Sequence, residues 1–355
     1  MNPWEAVERV HVDRERRQRH CRRGPRSLPR CQCVKRKGFT VTVRNKLGAQ
    51  ALLWTCGTSS EELREVIIRA AAIGYEILEL VFPDPDAIDV NAVRVFLQDA
   101  GIGVTGATAL APSSDISSED STISARGEEI LRKAVRAVAE LGGTQLCGML
   151  CSALHKYSSP ATETGRANSV AALRRVADYA DGFGISLCSE IVNRYETNLV
   201  NTTEQGLALL KDIARPNVKL HLDTYHMNIE ESSMEGAVLM AGDRLGYVHV
   251  GESNRGYLGS GNVDFASFLR TLLLGGYTGP IVFESFSSAV LEPSVSSQLC
   301  VWRNVWDNSD DLAAHAYAYL TTAVESAERG LRGYRWAGSQ PLGGKRDLPG
   351  PGGKQ

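Results

Sequence analysis

The chain has 355 residues, of which 43% are hydrophobic and 23% charged, and its formal net charge is −2 at pH 7. That near-neutral sum hides two unlike parts: residues 1–44 hold 13 Lys and Arg against 4 Asp and Glu (net +9), which leaves 26 of the 39 basic and 37 of the 41 acidic residues to the remainder (net −11). An acidic body is a poor match for nucleic-acid phosphates, and the basic leader has no apolar run long enough for a signal peptide or a membrane span.

The leader, with RERRQRHCRRGPRSLPR at its centre, reads as a disordered segment over residues 1–44. Its Arg and Ser content suggests an organellar transit peptide, although Glu5, Glu8, Asp13 and Glu15 argue against a clean one and a misplaced start codon would look similar. An RNA-binding arm has the charge but lacks aromatic residues for stacking. The eight cysteines (21, 31, 33, 56, 147, 151, 188 and 300) form no regular framework, so reduced thiols in an intracellular compartment are expected, in the cytoplasm or, if the leader is a transit peptide, in a plastid or mitochondrion. Cys31 and Cys33 have no finger-like partners for zinc, and Cys147, Cys151 and Cys188 read as small buried hydrophobes.

From residue 47 strand and helix signals alternate, the mark of a parallel α/β fold. LGAQALLW is expected as the first strand, followed by a helix in SSEELREVIIRAAAIGY with Ser59 and Ser60 as capping candidates and Gly74 as its stop. EILELVF, a helix over about 88–100, and GVTGATAL come next. Ser124 to Leu141 reads as a long amphipathic helix ending at Gly142 and Gly143, then TQLCGML as strand four and a helix over about 165–181.

Four stretches complete the series: ISLCSEIVNRYETN, VKLHLDTYHMNIEE, YVHVGESNRGYLGSG and PIVFESF. Helices near 204–214, 233–242 and 264–274 separate them, and a last helix lies near 310–329. Eight strands with intervening helices predict a (β/α)8 TIM barrel, a single domain over 45–335, since the excess over the roughly 250 residues of a simple barrel is taken up by the leader and a Gly/Pro-rich tail, 336–355, expected to be mobile. No GxGxxG follows a strand, so nucleotide binding has no support.

Each of the last four stretches delivers one metal-type ligand at the end of an apolar run: Glu190, Asp223, His249 and Glu284. Ligands from separate parallel strands converge at the C-terminal rim of such a barrel. Because residues two apart share a strand face, Ser186, Cys188, Lys219, His221, Tyr247 and Val282 should point inward, and Leu187, Leu220, Leu222, Val248, Val250, Ile281 and Phe283 toward the helices. Two Glu, one Asp and one His make an oxygen-rich donor set that suits Mn²⁺, Mg²⁺ or Co²⁺ better than structural zinc. His221, one layer deeper than Asp223, is expected to be a hydrogen-bonded core histidine.

EIVNRYETN, HLDTYHMNIEE, HVGESNRGYLGSGNVDF and FESFSS resemble the D-tagatose 3-epimerase, D-psicose (allulose) 3-epimerase and L-ribulose 3-epimerase family of xylose isomerase-like barrels, over residues 46 to about 330. The resemblance implies that Glu190, Asp223, His249 and Glu284 hold a divalent metal, usually Mn²⁺ or Co²⁺, and that Glu190 and Glu284 are also the catalytic pair. It implies too that Glu196, His226 and Arg255 bind the O1 to O3 end of a ketose, and that the protein is a homodimer or homotetramer.

Such chemistry needs stabilisation of an enolate oxygen, which a metal provides as a Lewis acid, and two acid/base groups flanking C3. Glu190 and Glu284, three strands apart, can face each other across a planar enediolate. The alternative for Arg255 is a rim salt bridge with Glu252. Gln50, Trp54, Ala107, Met149 and the SALHKY segment are expected around C4 to C6, and their mixture of small and apolar groups leaves hexulose and pentulose open. Rival readings are a hydroxypyruvate isomerase or inosose dehydratase on the same barrel, an endonuclease IV-like enzyme, which would need more His ligands and a basic face, and a non-catalytic sugar-binding barrel.

Overall fold

The computed structural model describes residues 45–82 and 84–338, with side chains described up to residue 331. The expectations for the basic leader, for Cys21, Cys31 and Cys33, and for the tail beyond residue 338 therefore lie outside the described residues. Eight parallel strands close into a barrel in the order β1 to β8: Leu47–Gln50, Ile77–Val81, Gly103–Ala107, Gln145–Gly148, Ser186–Ile191, Val218–Asp223, Leu245–Val250 and Ile281–Phe283. The ring closes where Leu47, Gly48 and Ala49 pair with Ile281, Val282 and Phe283.

Among the described residues ten α-helices follow in chain order: α1 Ser60–Ile73, α2 Val90–Ala100, α3 Ser121–Leu141, α4 Glu163–Asp181, α5 Thr203–Ile213, α6 Thr224–Glu230, α7 Met234–Ala241, α8 Phe265–Leu274, α9 Pro293–Gln298 and α10 Ser309–Gly338. The first shows why these segments are helical. Ser59 accepts the Glu62 backbone N–H while the Glu62 carboxylate accepts that of Ser59, a reciprocal cap on two orphan donors. Leu63, Val66, Ile67 and Ala70 then fall on one buried face, and Gly74 ends the helix in the left-handed region at φ 113°. Each large side chain on that face contributes about 1.5–3 kcal/mol, and Ile67→Ala would cost about 2–5 kcal/mol through the cavity it leaves.

The strand faces divide as their alternation predicts. Cys188, Tyr247 and Val282 join Ala107 and Cys147 in a cluster inside the barrel. Leu187, Leu220, Leu222, Val248, Val250, Ile281 and Phe283 belong to the larger core between strands and helices. Cys147, Cys151 and Cys188 are buried free thiols.

Three local expectations are corrected, and one helix is added. The first strand stops at Gln50, because Ala51–Leu53 turns into a 3-10 helix that the apolar run ALLW does not disclose. The third helix begins at Ser121 rather than 124, where Asp120 caps the backbone N–H groups of Thr122 and Ile123. The last helix runs beyond 329 to Gly338. Helix α6 starts directly after β6, with Asp223 accepting the Tyr225 N–H. No described helix is long and apolar enough to cross a membrane.

Candidate active site

Four consecutive strands carry acids or a histidine to the C-terminal end of the barrel. Glu190 is next to last in β5, Asp223 last in β6, His249 next to last in β7, and Glu284 follows β8 directly. Register sets Asp223 beside His249 and His249 beside Val282, so the ligands form a continuous arc. One ligand atom from each of the four lies within 4.8 Å of every other, and all four residues are buried.

The donor set fits a divalent cation. Glu190 Oε1, Asp223 Oδ2 and His249 Nδ1 are buried and accept no hydrogen bond from the described residues. Burial of such groups is costly, the Arg255 guanidinium relieves only Asp223 Oδ2, and a cation where the three acceptors meet would offset the rest. Three carboxylates with one imidazole are a hard, oxygen-rich set of the kind that suits Mn²⁺, Mg²⁺ or Co²⁺.

One cationic side chain, Arg255, lies among these acids. Arg255 Nη1 is 2.9 Å from Asp223 Oδ2, and its guanidinium is 4.0 Å from the centre of the Tyr225 ring and 5.0 Å from that of Phe286. The rim salt bridge between Arg255 and Glu252 does not form. Glu252 is instead fully buried, where its carboxylate accepts the backbone N–H groups of Ser253, Gly259 and Val263 and organises the loop that presents Arg255.

His226 lies in the first turn of α6. Its Nδ1 accepts the Asn193 backbone N–H at 3.3 Å and faces the Asn193 amide at 2.9 Å, which leaves Nε2 as the protonated atom, 3.6 Å from Glu190 Oε1. Burial first, and then the Arg255 charge, push its pKa well below the usual histidine range, so it is a neutral donor. The Asn193 amide also donates to Glu196 Oε1 at 2.8 Å. Burial raises Glu196 to about 7 against the opposing pull of Arg255.

The two glutamates are held unequally. Burial above all, then the charge of Glu284, push Glu190 well above the carboxylate range. Burial acts on Glu284 in the same direction, but Arg255 and His249 outweigh it and hold that carboxyl well below the range. Burial likewise raises Asp223 to about 6, with Arg255 opposing.

His221 is buried as expected but is not hydrogen-bonded: its ring stands edge-on to His249 and Tyr247, with centroids 4.2 and 5.0 Å apart, and neither nitrogen has a hydrogen-bond partner among the described residues. The nearest acid, Glu190 Oε2, stands 3.8 Å from its Nδ1, beyond hydrogen-bond distance. Three further groups escaped the sequence reading. Asn193 lies inside the quoted NRYE motif, and the buried Glu79 shares its strand face with Ile77 and Val81. Gln50 was assigned to the far end of the sugar but donates to Glu284 Oε1 at 2.5 Å and to Glu79 Oε1 at 2.8 Å.

A cavity of about 270 Å³ opens onto this cluster. It lies just below the roughly 300 Å³ at which pockets for drug-sized ligands start, so it takes a small molecule. Glu190, Glu196, His226, His249, Arg255 and Glu284 are among the residues that line it. Leu52, Val81, Ala107, Met149 and Leu154 line it too. Trp54 does not face it and instead donates its indole N–H to Asp310.

Comparison with known proteins agrees with the geometry. The model of the xylose isomerase-like TIM barrel family matches residues 67–321. An L-ribulose 3-epimerase of Methylomonas sp. (strain DH-1) is 51% identical over 277 residues, 78% of this chain and 97% of that protein. A ketose 3-epimerase of Arthrobacter globiformis is 46% identical over 286 residues, 80% of this chain and 99% of its own length. Among solved structures, a D-allulose 3-epimerase from Methylomonas sp. in complex with D-allulose superposes with a TM-score of 0.77 at 50% identity, covering 79% of this chain and 97% of that one.

Proposed function

The chain belongs to the xylose isomerase-like TIM barrel family and is an isomerase of the ketose 3-epimerase kind, and from that premise we propose that it interconverts the C3 epimers of a free ketohexose or ketopentose, with a divalent metal held by Glu190, Asp223, His249 and Glu284. Pairs of the D-psicose/D-fructose, D-tagatose/D-sorbose and L-ribulose/L-xylulose type fall in this class. The observation that carries the reading is the convergence of two buried glutamates, from β5 and the end of β8, on the cavity that also holds Arg255 and His226.

When bound, the cation, Mn²⁺ by preference, supplies Lewis-acid stabilisation of the negative charge that develops on the sugar oxygens. The chain's own residues do the rest. One glutamate takes the proton from C3, the electron pair of that bond forms the C2–C3 double bond of a cis-enediolate, and the other glutamate delivers a proton to the opposite face. Running the same steps backwards with the roles exchanged converts the product to the substrate.

Arg255, His226 and Glu196 bind the O1 to O3 end. The guanidinium and the His226 Nε2–H donate to hydroxyl and carbonyl oxygens, and such charge-assisted and neutral bonds together fix C3 between the two carboxylates. The apolar lining residues Leu52, Val81, Ala107, Met149 and Leu154 offer no partners to hydroxyls, which fits acceptance of both five- and six-carbon chains. Incubation of the purified protein with Mn²⁺ and a panel of ketoses, followed by chromatography, tests the reading: C3 epimers should form, and formation of an aldose or a dehydrated product instead would overturn it.

A further inference from the structure

Glu79 is fully buried one layer beneath the rim, on β2, across the barrel interior from the arc of ligands. Its Oε2 lies 2.8 Å from His249 Nε2, and the Cys147 thiol donates to the same oxygen at 3.2 Å. Its Oε1 accepts from the Gln50 amide, and that one amide nitrogen also reaches Glu284 Oε1. A single carboxylate is thus bonded directly to one proposed metal ligand and, through Gln50, to a second.

We infer that Glu79 is a positioning residue: it fixes His249 with the proton on Nε2, so that Nδ1 is the lone pair turned to the cation site, and it sets the Glu284 carboxylate through Gln50. The inference rests on the metal-dependent reading above. An ionised carboxylate only accepts hydrogen bonds, so the ring nitrogen facing it must carry the proton, and the other is then left free for a metal. In this structure that other nitrogen, Nδ1, lies 3.3 Å from Glu284 Oε1 and has no hydrogen-bond partner among the described residues. The opposite tautomer would set the Nε2 lone pair against the Glu79 carboxylate and turn an N–H toward the ligands. A carboxylate behind a metal-binding histidine typically contributes 10–100-fold to metal affinity, by orienting the ring and raising its basicity.

The test compares the full-length protein with Glu79→Gln, which keeps the side-chain shape but replaces the charged acceptor and sets an N–H₂ against either His249 or Gln50. Calorimetric titration with Mn²⁺ should give a dissociation constant about 10–100-fold higher in the variant. Wild type that binds Mn²⁺, with a folded Glu79→Gln protein binding it equally well, overturns the inference and leaves the metal reading intact. Wild type that binds no divalent cation overturns the metal reading itself. A second measurement does not depend on the variant folding: ¹⁵N shifts of labelled histidine in the metal-free wild type, where no cation dictates the tautomer, should show His249 protonated at Nε2 and not at Nδ1. A proton on Nδ1 would overturn the inference, whereas a carboxylate that served only to hold the barrel together would leave the tautomer unconstrained.

Discussion

Nη1 of Arg255 stands 2.8 Å from Oε2 of Glu284. The arginine reaches it from a backbone in the left-handed region, φ 57°, which non-glycine residues seldom adopt, so the loop held by Glu252 spends conformational strain to place this side chain. Lysine offers one compact charge in place of a planar fork and cannot stack on Tyr225 in the same way. Arg255→Lys should therefore raise KM by about 10–100-fold, the equivalent of a lost charge-assisted hydrogen bond, with metal affinity little changed. Gly251→Ala offers an independent route to the same effect, because a Cβ at that position would collide with the guanidinium end, which can swing away while the fold stays intact. Steady-state kinetics beside Mn²⁺ titration decide the matter, and an unaltered KM in both variants would remove Arg255 from substrate binding.

Asp223→Asn and His249→Ala each remove an acceptor from the buried cluster, and each should abolish divalent-metal binding and epimerisation together. The barrel should remain folded, since neither residue belongs to the apolar packing on either face of the sheet. Circular dichroism and metal analysis of the purified variants check both halves of the expectation. Chelation of the wild type should reproduce the loss of activity, and full turnover with metal content near zero would contradict the cation's role.

The ring of strands and its last four rim residues were legible because strand alternation is local. A period of two sorted Cys188, Tyr247 and Val282 from Leu187, Val248 and Phe283 without any tertiary information. Side-chain partnership is not local. Glu79 and His249 are 170 positions apart, and only closure of the ring brings them together, so an acid within ILELV looked like one more strand residue. Its parity with Ile77 and Val81 was the available signal, since a charged residue on an inward face needs a partner. The alternative of a rim pair between Arg255 and Glu252 fails for a related reason: a carboxylate near an arginine in sequence can be consumed instead by backbone N–H groups of its own loop.

On the outer surface, Glu128 of α3 joins Arg132 of its own helix at 2.8 Å and Arg175 of α4 at 2.7 Å. Burial would raise the Glu128 pKa, but the two guanidinium groups outweigh it and hold it below its ordinary value of 4.5. The sign follows from linkage: a depressed carboxyl stabilises the fold above its unfolded value, and the contribution is lost as pH falls through the folded one. Glu128→Gln should thus lower stability by at most about 1 kcal/mol near neutral pH, or roughly 2 °C in melting temperature. The gap between wild type and variant should close as the pH falls below 4.5. Thermal melts from pH 7 to pH 3 give the comparison, and a gap that widened in acid would contradict the pairing.

The exchange of protons between two carboxylates makes the sharpest demand on Glu190 and Glu284. If each serves one face of C3, turnover in D₂O should place deuterium at C3 of the product, and Glu284→Gln should stop epimerisation. Glutamine keeps the shape and can still offer an oxygen to the cation, but it cannot accept a proton, so retained metal with lost turnover separates the acid/base role from the ligand role. Glu190→Gln should behave alike, because microscopic reversibility requires both groups in each direction. Absence of deuterium alone is weaker, since a proton held in so buried a site can return before it exchanges with solvent. A Glu284→Gln protein that binds Mn²⁺ and epimerises at close to the parent rate would remove Glu284 from the proton transfer, and the group acting on that face would then have to be sought among the remaining polar residues of the cavity, Glu196 first among them.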